Sequence, residues 1–403
     1  MSASFVNLAR RWAPKAAALG VLGFSAAITV QREFSARAEA EDPSHGVLRN
    51  SPMSDAGKSG TKPCIVFMGT GTSSCNPHLD CVLGISPNYL KVGGCETCTK
   101  AIHDGPPEVN KNFRGNPSML ICFDGEDSHP AAAPGDKRRF VQIDCGKTFR
   151  SSALTWYPRH GIPRLDAVVL THDHADAVFG LDDLRLVVAR ESFVEVFASK
   201  QTYDMIKRSF PYLVRDPEPS YVGAAAHLAP PPDPAVPAAA ELEPVKVFIA
   251  SIKYHVMSTP SLEDKLAPFS AAGLEMTPLP VFHGDNYLSL GFSFGKTNSK
   301  FVYISDVSTI PPHVMEVLRK WDIEYLVIDT LHHKRRYPTH LSLEQSMEVI
   351  EELKPRKTYL IGVSHDFEHE RDNAKLASLK QTKGLDIEIP HDGLKIDLDR
   401  IEI

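Results

Sequence analysis

The chain has 403 residues, a formal net charge of −6 and 42% hydrophobic residues, which is enough to bury a sizeable core in one to three domains. Its 23% of charged residues excludes a wholly disordered or collagen-like chain. Net acidity without a long run of Lys or Arg argues against a dedicated nucleic-acid-binding surface. No apolar run reaches the ~18 residues that span a membrane. Seven cysteines are too few for a disulfide scaffold, and the close pair Cys95 and Cys98 indicates metal binding or free thiols.

The amino-terminal 38 residues are rich in Arg, Ala and Ser and contain a single acid, Glu33. This composition predicts an organellar targeting peptide over residues 1–38, for a mitochondrion or a plastid. A secretory signal is a competing prediction, because the apolar run 16–30 precedes an Ala-x-Ala sequence at 36–38. A cytoplasmic chain without a leader is the third alternative. The polar residues 39–62 are interpreted as a linker.

Short apolar runs alternate with turn residues from Lys62 onward and predict an α/β fold. A helix is predicted over 181–190, and another begins at Ser342, where Gln345 completes a capping box, and stops before Pro355. The Pro/Ala-rich residues 216–245 cannot continue a helix or a central strand and are interpreted as a surface insertion. The predicted strands are 64–68, 118–123, 140–144, 167–170, 193–198, 246–254, 291–294, 301–304, 325–328 and 359–363.

Histidines and acids follow several of these apolar runs. His172, His174 and Asp176 come directly after the strand 167–170, His283 follows a short apolar run, and Asp306 lies just beyond the strand 301–304. At a strand end, two histidines at i and i+2 can converge on one cation. Neutral imidazoles and carboxylates are ligands that Zn²⁺, Mn²⁺ and Fe²⁺ prefer. The series therefore predicts a metal site at the strand ends, which the resemblance given next makes a catalytic site for one or two ions.

The order His-x-His-x-Asp, a distant His and a strand-end Asp resembles the metallo-β-lactamase superfamily, whose fold is a four-layer αββα sandwich with its metal site at one sheet edge. The turn 69–71 and the strand-end sequence 144–146 are similar too, so the resemblance implies one such domain over residues 63–403. The segments 339–342 and 362–367 resemble the branch that holds phosphoribosyl 1,2-cyclic phosphate phosphodiesterase and nuclease Z. The resemblance implies a metal-dependent hydrolase acting on a small cyclic or nucleotide-like phosphate ester.

Two positions depart from the family pattern. Ala177 stands where the family has a histidine that binds a second metal, and Gly362 stands where the histidine of the fifth motif is expected. Only Asp176 and the bridging Asp306 remain for a second ion, so one expectation is a site with one ion or with a weak, exchangeable second ion. The histidines that could substitute are His333, His365 and His369. The two departures also leave open a binding protein that has lost turnover.

A second metal site is predicted from cysteines. The spacing of Cys95 and Cys98 lets two thiolates from one turn bind the same Zn²⁺. The family resemblance implies a structural zinc held by Cys81, Cys95, Cys98 and His365, with Cys75 as the alternative third thiol. A redox role is less favoured, because no thioredoxin-like βαβ pattern surrounds the pair.

The predicted chemistry is attack by a water molecule that a cation activates at neutral pH. Asp176 is expected to orient this water or accept its proton. His340 is expected to contact phosphate or protonate the leaving group, with a helix-cap role as the alternative, and Asp329 to position His340 or His333. The expected partner is a small phosphate ester, with a thioester or lactone as the alternative substrate. We expect no stable nucleic-acid partner and no membrane association, and a homodimer remains open.

Overall fold

A computed structural model describes residues 62–86, 94–128, 134–188, 193–214, 220–222, 251–257 and 266–403. The predicted targeting peptide and the linker, apart from Lys62, lie outside the described residues. So does the predicted insertion 216–245, except for one short strand at Ser220–Val222. Within the described part, no helix has the length and apolar character that crossing a membrane requires.

The strands are β1 (Cys64–Gly69), β2 (Ser118–Asp124), β3 (Arg138–Ile143), β4 (Ala167–Val169), β5 (Phe193–Ser199), β6 (Ser220–Val222), β7 (Ser251–Met257), β8 (Phe269–Ala271), β9 (Leu274–Phe282), β10 (Leu288–Phe294), β11 (Lys300–Ile304), β12 (Ile323–Asp329), β13 (Lys357–Ile361), β14 (Ile387–Glu388) and β15 (Lys395–Asp397). The helices are α1 (Leu79–Val82), α2 (Glu96–His103), α3 (Phe149–His160), α4 (Ala175–Val178), α5 (Lys200–Ser209), α6 (Pro312–Leu318), α7 (Leu343–Leu353) and α8 (His369–Lys383).

Two mixed sheets form the centre of the fold. The described strands of the first sheet run in the order β15-β1-β2-β3-β4-β5-β7-β6, and those of the second in the order β14-β13-β12-β11-β10-β9-β8. Apolar side chains of both sheets pack against each other in a central core. A second apolar cluster lies between the first sheet and helices α3 to α5, and a third between the second sheet and helices α6 to α8. The layers are therefore α, β, β and α, as the resemblance to the metallo-β-lactamase superfamily implies.

Strand β11 shows why the buried strands could be recognised in the sequence as short apolar runs. Phe301 and Tyr303 point into the central core, whereas Val302 and Ile304 point into the third cluster. Since successive side chains of a strand face opposite sides of the sheet, a strand covered on both faces is apolar at every position. This strand therefore reads in the sequence as a short continuous apolar run.

Parallel pairing brings several chain segments to one edge of the sheets. Strand β3 runs parallel to β4, and β11, β12 and β13 run parallel to one another. The residues that follow their carboxyl ends therefore meet at a common edge, where ligands bind in open α/β sheets. A bridge between Gly71 and Val363 joins the ends of β1 and β13 at the same place.

One predicted helix differs from the structure, and one agrees with it. The segment predicted as a helix over 181–190 forms a 3₁₀ helix over Leu181–Leu186, with bonds between residues three apart such as that from the Val187 N–H to the Leu184 carbonyl. Short 3₁₀ segments of this kind commonly connect other elements. Helix α7 has the predicted capping box. The Gln345 side chain accepts from the Ser342 N–H at 3.1 Å, and Ser342 accepts from the Gln345 N–H.

Candidate metal centres

Three histidines from two distant segments converge at the common edge. His172 and His174 follow β4, His283 follows β9, and one nitrogen of each ring lies within 4.8 Å of the others. The Nδ1 atom of His174 lies 3.3 Å from the Nε2 atom of His283. Two nitrogens that share a tetrahedral ion at the usual Zn–N distance are about 3.3 Å apart. The observed separation therefore fits a shared ion.

His172 is oriented by a buried chain of hydrogen bonds. Its Nδ1 lies 2.8 Å from the Thr171 hydroxyl, and that hydroxyl donates to the Asp144 carboxylate at 2.8 Å. Burial lowers the pKa of His172 to about 3, so the ring is neutral at pH 7. Its Nε2 atom is buried without a hydrogen-bond partner. The ring therefore offers a free lone pair, in the supported orientation typical of metal-binding histidines.

His283 is held in the same way by the backbone. Its Nδ1 atom donates to the Thr339 carbonyl oxygen at 2.7 Å, which leaves the Nε2 atom facing His174. Burial lowers the pKa of His283 as well. The next residue, Gly284, has a φ of 96°, and a Cβ there would lie 3.0 Å from the Thr339 side chain. The glycine thus permits the close approach that orients His283.

A second group of donors adjoins the three histidines and consists of His283, Asp306 and His340. The Nδ1 atom of His340 donates to the buried Asp329 carboxylate at 2.9 Å. Burial opposes a charge on His340, but the attraction of Asp329 outweighs it and raises the pKa of His340 to about 9. The structure thus pairs Asp329 with His340, one of the two histidines that the sequence offered as its partner.

Asp176 lies beside these groups on helix α4. Burial, followed by repulsion from Asp306, raises the pKa of its carboxyl group. Among the described residues, Asp176 belongs to none of the groups of three or more donors that lie close enough to share an ion. Its position is therefore that of a neighbouring acid at the edge of the cluster.

The predicted cysteine site is gathered in one place. Cys81, Cys95, Cys98 and His365 each place one donor atom within 4.8 Å of the others. The Nδ1 atom of His365 lies 3.3 Å from the Cys81 sulfur and 3.5 Å from the Cys98 sulfur, close to the about 3.6 Å expected between S and N on a tetrahedral zinc. The hydrogen bond from Cys98 lowers the pKa of Cys95 to about 4. This shift favours the thiolate form of Cys95, which is the form that binds metal.

The alternative thiol lies elsewhere. Cys75 accepts a hydrogen bond from the Asn116 side chain and is absent from the cysteine group. The structure thus favours Cys81 as the third thiol.

Sequence reasoning missed two residues that shape the histidine cluster. The Thr171 hydroxyl links His172 to Asp144, and its place directly before the motif was the available signal. Tyr287 stacks on His174, and its hydroxyl donates to Asp173. No pattern in the sequence pointed to Tyr287, because it lies 113 residues beyond His174 in an ordinary turn before β10.

A cleft of about 700 Å³ opens next to His283, and the two residues on either side of His283 in the chain, Phe282 and Gly284, belong to its lining. Its size suits a small molecule. Its polar lining consists of Asp285, Asn286, Ser308, Thr309, Arg336 and Gln345.

Several known proteins are similar to this chain, among them the following three. A diphosphatase from the PhnP family has 26% identity and a TM-score of 0.56, over 83% of this chain and 97% of its own. Zn²⁺-bound PqqB from Methylobacterium extorquens has 14% identity and a TM-score of 0.52, over 83% of this chain and all of its own, and shows the fold alone. An octanoyltransferase from Porphyromonas gingivalis is 26% identical over 300 residues, which are 74% of this chain and 46% of that protein. The chain thus spans less than half the length of this curated relative.

The model of one protein family covers most of the region that carries these donors. It is described as the beta-lactamase superfamily domain and matches residues 139–363, more than half of the chain. That range includes His172, His174, His283 and Asp306. The αββα layers and the metal-binding groups agree with this match. The chain therefore belongs to the beta-lactamase superfamily and has the metallo-β-lactamase fold of its metal-dependent hydrolases.

Proposed function

We propose that the protein is a phosphodiesterase that hydrolyses a small cyclic or nucleotide-like phosphate ester with the help of a divalent cation. The observation that carries this proposal is the position of the Asp329–His340 pair beside the three converging histidines. Phosphodiester cleavage leaves negative charge on the phosphate and on the departing oxygen, so it requires both cationic groups and a proton donor. The relationship to a diphosphatase of the PhnP family supports the same chemistry.

The donors fit Zn²⁺, Mn²⁺ or Fe²⁺, since they are neutral imidazoles and a carboxylate. An ion held by His172, His174, His283 and Asp306 would supply a water nucleophile at neutral pH and polarise the bond under attack. Asp176 accepts the proton of the attacking water, for which its raised pKa suits it. His340 donates a proton to the leaving oxygen, and Asp329 holds the imidazole ring in the orientation for this transfer.

The cleft next to His283 supports a small substrate. It adjoins His283 and carries Arg336 as a cationic side chain among hydroxyl, amide and carboxylate groups. A guanidinium suits an anionic substrate, because it presents several N–H donors to phosphate oxygens. We propose that the substrate lies in this cleft with its ester group at the histidine cluster.

A second candidate is hydrolysis of an acyl ester or thioester. The observation that favours it is the 26% identity to an octanoyltransferase, although this chain matches less than half of that protein. The same cation would polarise a carbonyl group in place of a phosphoryl group.

The full chain, loaded with Zn²⁺ or Mn²⁺, is assayed on bis-p-nitrophenyl phosphate, a 2′,3′-cyclic nucleotide, p-nitrophenyl acetate and an acyl thioester. We expect diesterase turnover that is lost in His174→Ala and retained in His313→Ala, a histidine outside the donor groups. Turnover of the acyl substrates alone would establish the second candidate. Absence of turnover on every ester would contradict both.

A further inference from the structure

We propose that the histidine cluster holds a single divalent ion, and that the Asp329–His340 pair occupies the space in which a ligand of a second ion would lie. The inference rests on the proposed function for its chemistry. Its geometric basis is the set of side chains around Gly362, Ala177 and Asp176.

Any side chain at position 362 would collide with Asp329. Gly362 has a φ of 72°, and a Cβ there would lie 2.5 Å from the Asp329 Oδ1 atom. The direction that a side chain would take at this position therefore leads straight into the carboxylate that holds His340. A side chain at position 362 would therefore push the Asp329 carboxylate away from its place beside His340.

Ala177 offers no donor either. It is buried, with 1% of its surface exposed, in the apolar cluster beneath the first sheet. Because a methyl group cannot bind a metal, the donors left for a second ion are Asp176 and Asp306, and Asp306 would have to bind both ions at once. Catalytic zinc sites use three protein ligands as a rule, so two carboxylates do not make a second site of comparable affinity.

The three histidines that could substitute are all engaged elsewhere in the described structure. His365 belongs to the cysteine group. His369 lies against the buried Arg114, with 3.1 Å between its Nδ1 atom and the Arg114 Nη2 atom. His333 faces Asp372 at 3.3 Å. None of them belongs to a donor group that contains Asp176 or Asp306.

The two donor groups at the cluster overlap in a way that fits one ion. Both groups contain His283, and its Nδ1 atom is committed to the Thr339 carbonyl. A single lone pair remains on Nε2, so His283 can bind one ion at a time. His283 can therefore join His172, His174 and Asp306 around one ion, but it cannot also serve a second ion.

The test counts ions in the full chain. The protein is stripped of exchangeable metal, loaded with Mn²⁺ and desalted, and its Mn and Zn are measured by mass spectrometry and its Mn²⁺ by electron paramagnetic resonance. We expect one Mn²⁺ per chain, with the spectrum of an isolated ion, in addition to the zinc of the cysteine group. Two Mn²⁺ per chain with an exchange-coupled spectrum, as for ions about 3.5–4 Å apart, would overturn the proposal.

Two variants locate the ion. Asp176→Asn is isosteric and should leave the bound Mn²⁺ unchanged, whereas His174→Ala should lose it. Loss of Mn²⁺ in Asp176→Asn together with its retention in His174→Ala would place the ion on the carboxylates and overturn the assignment. Circular dichroism of both variants checks that they are folded.

The metal count and the phosphodiesterase activity are measured separately, so the two proposals can fail independently. One ion per chain without hydrolysis of any phosphodiester would leave this inference standing and remove the phosphodiesterase proposal. Two coupled ions with rapid phosphodiester hydrolysis would do the reverse.

Discussion

The ring of Tyr287 lies parallel to the imidazole of His174, with their centroids 4.9 Å apart and their planes inclined by 14°. The Tyr287 hydroxyl donates to Asp173, and the Tyr287 carbonyl accepts from the His283 N–H at 2.9 Å. His174 is the exposed member of the three-histidine group. Tyr287 therefore covers the ligand that the fold leaves open to solvent and ties it to the segment that carries His283.

Replacing Tyr287 tests this support. Tyr287→Leu removes the stacked ring and should weaken Mn²⁺ binding by about 10-fold or more, as loss of a group that orients a ligand does in other metal sites. Tyr287→Phe keeps the ring and should bind the ion more tightly than Tyr287→Leu. Competition with a chromophoric chelator measures both affinities. Equal affinities for wild type and Tyr287→Leu would show that His174 needs no such support.

The role of His340 can be separated by the choice of leaving group. If His340 donates a proton, His340→Ala should lower kcat by about 10²–10⁴-fold for a 2′,3′-cyclic nucleotide, whose leaving group is an alkoxide. The loss should be much smaller for bis-p-nitrophenyl phosphate, because p-nitrophenolate leaves readily without a proton. Equal losses on both substrates would instead mean that His340 contacts the phosphate. Asp329→Asn, which weakens the hold on the ring, should show the same preference in milder form.

Gly362→Ala tests the packing behind the single-ion proposal, and Gly384→Ala is its matched control. The two glycines have nearly equal φ values, 72° and 71°, but a Cβ at Gly384 meets no atom within 4 Å. Gly384→Ala should therefore cost only the backbone strain, about 1–2 kcal/mol. Gly362→Ala should cost about 1–3 kcal/mol more, because its methyl group displaces Asp329. Urea unfolding measures both, and equal costs would contradict the contact.

Removal of the structural ion should destabilise the fold. Cys98→Ser takes a sulfur from the cysteine group, and we expect it to lose one zinc per chain and to unfold at a lower temperature, since a structural zinc contributes folding free energy. Cys75→Ser is the matched control, because its thiol lies outside the group, and it should keep both its zinc and its stability. Zinc analysis and thermal unfolding provide the measurements. Unchanged zinc content and stability in Cys98→Ser would show that Cys98 is not a ligand of the ion.

Residues next to buried strands could be predicted from the sequence. His172, His174 and Asp306 follow strands covered on both faces, so continuous apolar runs mark their positions. His365 was found only through the family resemblance, because it stands 267 residues from Cys98 and no local pattern connects them. Contacts such as that between Asp329 and His340 depend on how the loops meet at the sheet edge, which periodicity does not encode.

Two long helices escaped prediction for physical reasons. Helix α3 contains Pro158 within its last turn, which the sequence rules treat as a break. Helix α8 has few apolar residues. Of the three residues that it buries, Leu376 is apolar, whereas His369 and Asp372 are polar. Since polar side chains held by specific partners replace the apolar stripe, no helical period stands out in this segment.

We expect the protein to become less stable in acid, because a buried carboxylate at the start of helix α8 would then be protonated. The Asp372 carboxylate is nearly buried and accepts hydrogen bonds from the Glu368 N–H, Arg371 and Lys375. Burial alone would raise its pKa, but the neighbouring His333 and the hydrogen bonds from Arg371 and Lys375 outweigh this and hold the pKa of Asp372 well below its usual value.

A depressed pKa in the folded state means that this stabilisation is fully present above the unfolded pKa of about 3.9 and is lost as the pH falls through the folded pKa. We therefore expect the free energy of unfolding, from urea titrations, to fall below about pH 4 in the wild type and to fall less steeply in Asp372→Asn. Asp127→Asn, at an exposed position, should follow the wild-type curve. Parallel curves for wild type and Asp372→Asn would show that the carboxylate has no net charge-dependent effect on the fold.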